Sequence, residues 1–291
     1  MRSLLFVPGD SPRKLDKGLA SGADAVLLDL EDSIAPERKA EARATTAAFL
    51  KEVHSAKDRP RLYVRVNGLQ SGLLDDDLDA VTAGRPDGIM LPKAEGGAAV
   101  IHCDAKLAVR EAVHGLPEGA LDIIAIATET AAALFLAGTY AGASARLKGL
   151  TWGAEDLSVE LGAEANRDAA GHFLAPYQLA RSLCLAAAAA AQVQAIDTVY
   201  VDFRNDAGLR RECEDARRDG FTGKMAIHPA QVAIINEVFT PTAEAIARAR
   251  AVVEAFAAAP GAGTVGIGGV MYDRPHLERA KQLLARAERS R

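Results

Sequence analysis

The chain has little that would cross-link it, carry it through a membrane or bind it to nucleic acid. Its three cysteines, Cys103, Cys184 and Cys213, are odd in number, far apart and in no CxxC pattern. That excludes a disulfide framework and fits free thiols in a reducing cytoplasm. Basic residues do not outnumber acidic ones, 34 against 39 for a net charge of −5, so electrostatics make no case for nucleic acid or an anionic membrane. No apolar run approaches the roughly 20 residues of a membrane-spanning helix; the alanine-rich Leu185–Ala191 is far too short. Met1–Pro8 carries one basic residue and a brief apolar run, and reads as a first strand rather than a signal peptide. No G-x-G-x-x-G follows it, which removes the main argument for a dinucleotide fold. His54, His102, His114, His172 and His276 form no HxxxH spacing, so zinc is not expected. The expectation is a soluble cytoplasmic protein.

What is present is repetition. The 291 residues are 49% apolar and 25% charged, a globular composition. Eight short apolar runs begin near Leu4, Ala25, Leu62, Gly88, Ile123, Leu150, Thr198 and Lys224, and each ends in a polar or charged residue. Continuous apolar runs of this length suit strands buried on both faces, as in a parallel sheet. Helical patterns separate them, including 13–20, 36–53, 73–83, 98–113, 130–137, 176–193, 206–218 and 229–238. Eight strand–helix alternations predict an α/β fold of the (β/α)8 TIM-barrel class over residues 1–240, with chemistry at the carboxyl ends of its strands. Residues 241–291 read as a helical extension, 242–258 and 274–289, around a Pro/Gly-rich stretch, 260–269, that suits a lid. The span 156–175 is long for a strand-to-helix loop, which points to function.

The run ends supply the candidates. Glu129 and Asp156 close the fifth and sixth runs, and adjacent strands bring such carboxylates into one pocket, where Mg²⁺ is held by acids, water and substrate oxygens. Each acid alone also fits a helix cap, and Glu155 competes with Asp156 for the inward direction. Arg65, between Val64 and Val66, needs an anionic partner: a substrate oxygen or an ion pair with Glu31 or another rim acid. Asp29 and Glu31 are candidates to orient Arg65 or a metal's waters, and Asp32 to cap the next helix. Lys93 and Lys224 are open to structural or Schiff-base roles, and His228 to acid–base chemistry or to tying its loop. Arg13, Lys14, Lys17 and Lys93 are candidates for phosphate contacts.

The segments RSLLFVPGDSPRKLDKGLASGADAVLLDLEDSI, LYVRVNG, IMLPKAE, IATETAAAL, LTWGAEDLS, GFTGKMAIHPAQ and GGVMYDRPHLERA resemble, in order, the citrate lyase beta-subunit family within the HpcH/HpaI aldolase group. The resemblance covers essentially the whole chain. It implies a Mg²⁺-dependent barrel cleaving a 3-hydroxy-3-carboxyalkyl-CoA thioester of the citryl, citramalyl or malyl type. It also implies Glu129 and Asp156 as metal ligands, Arg65 at the substrate's acyl oxygen, and Asp273 as an acid/base acting in a neighbouring subunit. A homotrimer or multiple and an acyl-carrier partner follow from the same resemblance. The rival readings are thioester hydrolysis, malate synthase-like condensation, an auxiliary subunit of a larger lyase complex, and a metal-free Schiff-base aldolase.

Overall fold

The computed structural model describes residues 1–289; positions 290–291 of the expected extension lie outside the described residues. The chain divides into two compact units, the first Met1–Asn236 and the second beginning at Glu237.

The first unit is a closed barrel of eight parallel strands in sequence order, β1 pairing with β8. Chain order runs β1 (Ser3–Pro8), α1 (Pro12–Leu19), β2 (Ala25–Asp29), α2 (Lys39–Val53), β3 (Arg61–Arg65), α3 (Leu74–Thr82), β4 (Gly88–Leu91) and α4 (Gly96–Val113). It continues with β5 (Asp122–Ile126), α5 (Ala131–Leu136), β6 (Leu147–Thr151), α6 (Ala154–Glu160), α7 (Ala175–Ala191), β7 (Gln194–Asp197), α8 (Asp206–Asp219), β8 (Gly223–Ala226) and α9 (Ala230–Phe239). The interior is filled by alternate strand residues, among them Leu4, Leu27, Tyr63, Met90, Ile124, Ile196 and Met225. Their neighbours in sequence face the helices, so both strand faces are buried and the runs read as continuously apolar. Burying each such side chain contributes about 1.5–3 kcal/mol.

Register decides which polar groups meet. Asp29 pairs with Arg65, and Arg65 with Met90. Since Met90 faces the interior, Asp29 and Arg65 face it too, at the carboxyl end.

Two strands differ from expectation: the sixth is Leu147–Thr151, starting three residues before the run from Leu150. The seventh is Gln194–Asp197, not the run from Thr198 to Asp202, which is a loop. The β-branched TVYV has the higher strand propensity, but barrel closure selects QAID, placing Ile196 in the core and Asp197 beside Lys224. Asp156 likewise lies in the first turn of α6 rather than on a strand end.

The second unit contains α10 (Ala243–Ala258), β9 (Thr264–Ile267), β10 (Val270–Asp273) and α11 (Arg274–Arg289). The Pro/Gly-rich stretch runs into regular structure, Thr264–Asp273. It forms a hairpin whose tip, Gly268–Gly269, takes φ values of 57° and 80°, as a two-residue turn requires. Val265, Ile267 and Tyr272 of this hairpin pack on a small core of Ala249, Val252, Phe256, Leu277 and Ala280.

Candidate active site

The mouth of the barrel begins with a fork. Arg65 donates from Nε and Nη2 to the two oxygens of Asp29, both at 2.7 Å. Its guanidinium lies 4.8 Å from the Phe6 ring centroid. Asp29 also accepts from the backbone N–H groups of Glu31 (2.9 Å) and Ser33 (3.2 Å), which turns the chain as it leaves β2. Burial pushes the Asp29 carboxyl up, and the Arg65 fork outweighs it, so the group lies below its ordinary value. Arg65 Nη1 sits 2.9 Å from Glu31 Oε2, yet that buried oxygen has no aligned hydrogen-bond donor.

The exit from β4 adds a cation. Lys93 has a left-handed backbone, φ 50°, and its N–H donates to Glu129 Oε2 at 2.5 Å. Its ammonium pairs with Glu31 Oε1 (2.5 Å) and Asp156 Oδ1 (3.1 Å), with Asp32 at 3.7 Å. Burial favours the neutral amine, and Glu31, followed by Glu129 and Asp156, overrides it and holds the ammonium charged.

Glu129 is 3% exposed. Its carboxyl is pushed up to about 8, first by burial and then by the charge of Asp156. Gly153 makes room for it: a Cβ there would lie 2.6 Å from Glu129 Cγ. Of the two adjacent acids, Glu155 accepts from Asn166 Nδ2 at 2.9 Å, while Asp156 faces Lys93. Arg65, Asp29, Glu129, Glu155 and Asp156 line one cavity of about 330 Å³, with Phe6, Ile126 and Met225 among its apolar walls. A second cavity, about 340 Å³, lies at the opposite strand ends around Arg61 and Asp122, where a barrel carries stability rather than chemistry.

Other expected residues go elsewhere. Arg13 and Lys17 project from the exposed face of α1 and do not line the cavity. His228 accepts from the Ala230 N–H at 3.2 Å and stacks on Phe203 (centroids 4.8 Å apart), so it ties its loop. Lys224 points outward to the helices, completely buried between Asp197 and Glu212 at 2.7 Å each. Those carboxylates keep it charged despite burial, and it does not line the cavity. Asp273, in the second unit, contacts His276 Nδ1, and that hydrogen bond lowers its carboxyl below the ordinary value.

Two supporting residues lie outside the sequence-derived candidates. Lys39 donates to the carbonyls of Leu30 and Glu31 and to Asn67 Oδ1, at 2.7–2.8 Å. Asp77 accepts from both nitrogens of Asn67, at 2.7 and 2.6 Å, and from Arg43 Nε at 2.6 Å. The signal was present: with Leu74, Leu78 and Val81, Asp77 completes an i, i+3, i+4, i+7 buried face. A carboxylate at such a position requires partners.

Among the described residues no helix is long and apolar enough to cross a membrane. The HpcH/HpaI aldolase/citrate lyase family model matches residues 2–229. A (3S)-malyl-CoA thioesterase of Cereibacter sphaeroides is 37% identical over 289 residues, covering 99% of this chain and 94% of that one. The citrate lyase subunit beta of Escherichia coli K12 is 37% identical over 291 residues, with the same coverage. The crystal structure of CitE from Mycobacterium tuberculosis in complex with magnesium, acetoacetate and coenzyme A superposes with a TM-score of 0.78 at 34% identity, covering 99% of this chain and 100% of that one. With barrel and sequence in agreement, the chain belongs to the HpcH/HpaI aldolase/citrate lyase family and is an enzyme of its citrate lyase beta-subunit-like branch.

Proposed function

We propose that the protein is a Mg²⁺-dependent carbon–carbon lyase that cleaves a citryl-, citramalyl- or malyl-type CoA thioester into acetyl-CoA and an oxo acid. The observation that carries this reading is a set of under-partnered carboxyl oxygens at the mouth. Glu129, nearly desolvated, accepts one backbone N–H and faces Asp156, while Glu31 keeps an orphaned oxygen. Oxygen donors in that state fit a hard divalent cation. Among the described residues no three His, Cys, Asp or Glu side chains converge on one point. The fit is therefore to a cation that keeps water or substrate oxygens in most positions, as Mg²⁺ does. Glu129 and Asp156 would hold it, and when bound it would polarise the hydroxyl and carboxylate of the fragment that becomes the oxo acid.

The remaining roles belong to the chain. Cleavage breaks the C2–C3 bond, the C3 hydroxyl loses its proton and the electron pair passes to the thioester as an enolate. Arg65, fixed by Asp29 and wetted by the cavity, presents its remaining N–H groups where the enolate oxygen develops. Asp273, held ionised by the His276 hydrogen bond, would take the proton released by the C3 hydroxyl and deliver it to the acetyl methyl carbon as the enolate collapses, from a neighbouring copy in a homo-oligomer such as a trimer. Arg13 and Lys17 are free to meet CoA phosphates. Lys93, with its charge committed to carboxylates, is a weaker phosphate contact than its sequence position suggests.

Thioester hydrolysis is the second reading, favoured by the relative named (3S)-malyl-CoA thioesterase. The two separate by product. Purified protein with Mg²⁺ and each of the three thioesters should release acetyl-CoA and an oxo acid; free CoA thiol with an intact hydroxy acid supports hydrolysis. No turnover of any of them sinks both. An acyl-carrier-bound substrate would show as turnover only when the carrier protein is added.

A further inference from the structure

Lys93 is unusual in two respects. It is one of three non-glycine residues with positive φ among the described residues, a conformation that disfavours a side chain and marks a position held by its surroundings. Its head also sits inside an acidic ring. Asp29, Glu31, Asp32, Glu129 and Asp156 supply five carboxylates at the mouth, against two cations within ion-pair distance, Arg65 and Lys93; Lys39, tied to the Leu30 and Glu31 carbonyls, acts on Asp29, Glu31 and Asp32 without pairing with them. Arg65 is locked in the Asp29 fork. That leaves one movable charge for the rest.

The two halves of Lys93 are held differently. The backbone N–H is anchored on Glu129, whereas the side chain is 39% exposed and ends 3.1 Å from Asp156. Four flexible carbons connect them. A divalent cation drawn to Glu129 and Asp156 meets a like charge already on one of its ligands, and the two repel strongly at such separations. The ammonium must leave Asp156, while the anchored backbone keeps Lys93 at the rim.

We propose that the Lys93 ammonium is a built-in counter-ion that competes with a divalent cation for the mouth carboxylates, so that metal affinity is set by displacement of this one side chain. The inference rests on the reading of Glu129 and Asp156 as the cation's holders. The test is Mn²⁺ binding, followed by electron paramagnetic resonance and calorimetry, on the full chain and on Lys93→Met and Lys93→Arg. Lys93→Met should bind one Mn²⁺ about tenfold more tightly, ~1.4 kcal/mol, and Lys93→Arg within about twofold of the native protein. In EDTA the Lys93→Met protein should melt lower than native, with Mn²⁺ closing the gap. Lys93→Gln must move in the same direction, and takes over if the methionine variant does not fold. Equal or weaker Mn²⁺ affinity in a natively folded variant overturns the role of Lys93 alone. No Mn²⁺ bound by native protein or variants overturns both this role and the cation site.

Discussion

Two groups of charges in the same barrel behave in opposite ways. Behind β7 and β8, Asp197, Glu212 and Asp219 meet Lys224, Arg181, Arg167 and, at 3.9 Å, Arg218, so the acids do not outnumber the cations. Trp152 Nε1 adds a donor to Asp197 at 2.8 Å. Burial pushes the Asp197 carboxyl up, and Lys224 and Arg181 more than reverse it. At the mouth, five carboxylates share two cations, and burial wins at Glu129, pushing it up to about 8. Balanced groups in low dielectric act as structure, whereas an unbalanced set is poised for a ligand that supplies the missing charge.

The comparison breaks most sharply by removing one charge from each side. Lys224→Met should cost about 3–5 kcal/mol of stability by leaving Asp197 and Glu212 buried together, read as a lower melting temperature, with turnover per folded molecule unchanged. Glu129→Gln should do the reverse, lowering kcat/KM about a thousandfold, ~4 kcal/mol, while the metal-free protein melts no lower than native. Lost turnover in Lys224→Met at native stability would erase the distinction.

Asp273→Asn should reduce kcat by about a hundredfold with KM and Mn²⁺ affinity little changed, because the proposed proton transfer is separate from cation binding. A change confined to Mn²⁺ affinity would contradict that separation.

The smallest effect is a difference in pH dependence. Glu129 is raised from 4.5 to about 8, so its stabilising contribution is complete below 4.5 and is lost as pH rises through about 8. Asp197 is lowered from 3.8, so its contribution is present above 3.8 and is lost only as pH falls through its folded value. In EDTA the melting temperature should therefore fall between pH 5 and 8, and that decline should flatten in Glu129→Gln. A decline equally steep in the variant would assign it to another group.

Much of this was legible before any coordinates. Six of the eight strands coincide with apolar runs, because a strand buried on both faces leaves an unbroken local signal; the sixth shares only Leu150 and Thr151 with its run. Arg65, Glu129 and Asp156 stood out as charges adjoining such runs. The seventh strand did not, since QAID and TVYV are adjacent and propensity favours the wrong one. Lys39 reads locally as part of a solvated helix, and only the i, i+3, i+4, i+7 apolar face around Asp77 marks that acid as buried.

The sequence by itself determined the barrel, its polar rim and the family, since hydrophobic period and motif order are properties of neighbours along the chain. Only tertiary structure decided which acid meets which cation. Register aligns Asp29 with Arg65 and Asp197 with Lys224. A left-handed turn at Lys93 brings Glu31 and Asp156 to one ammonium. Charge balance is a sum over groups distant in sequence, so it exists only once the barrel has closed.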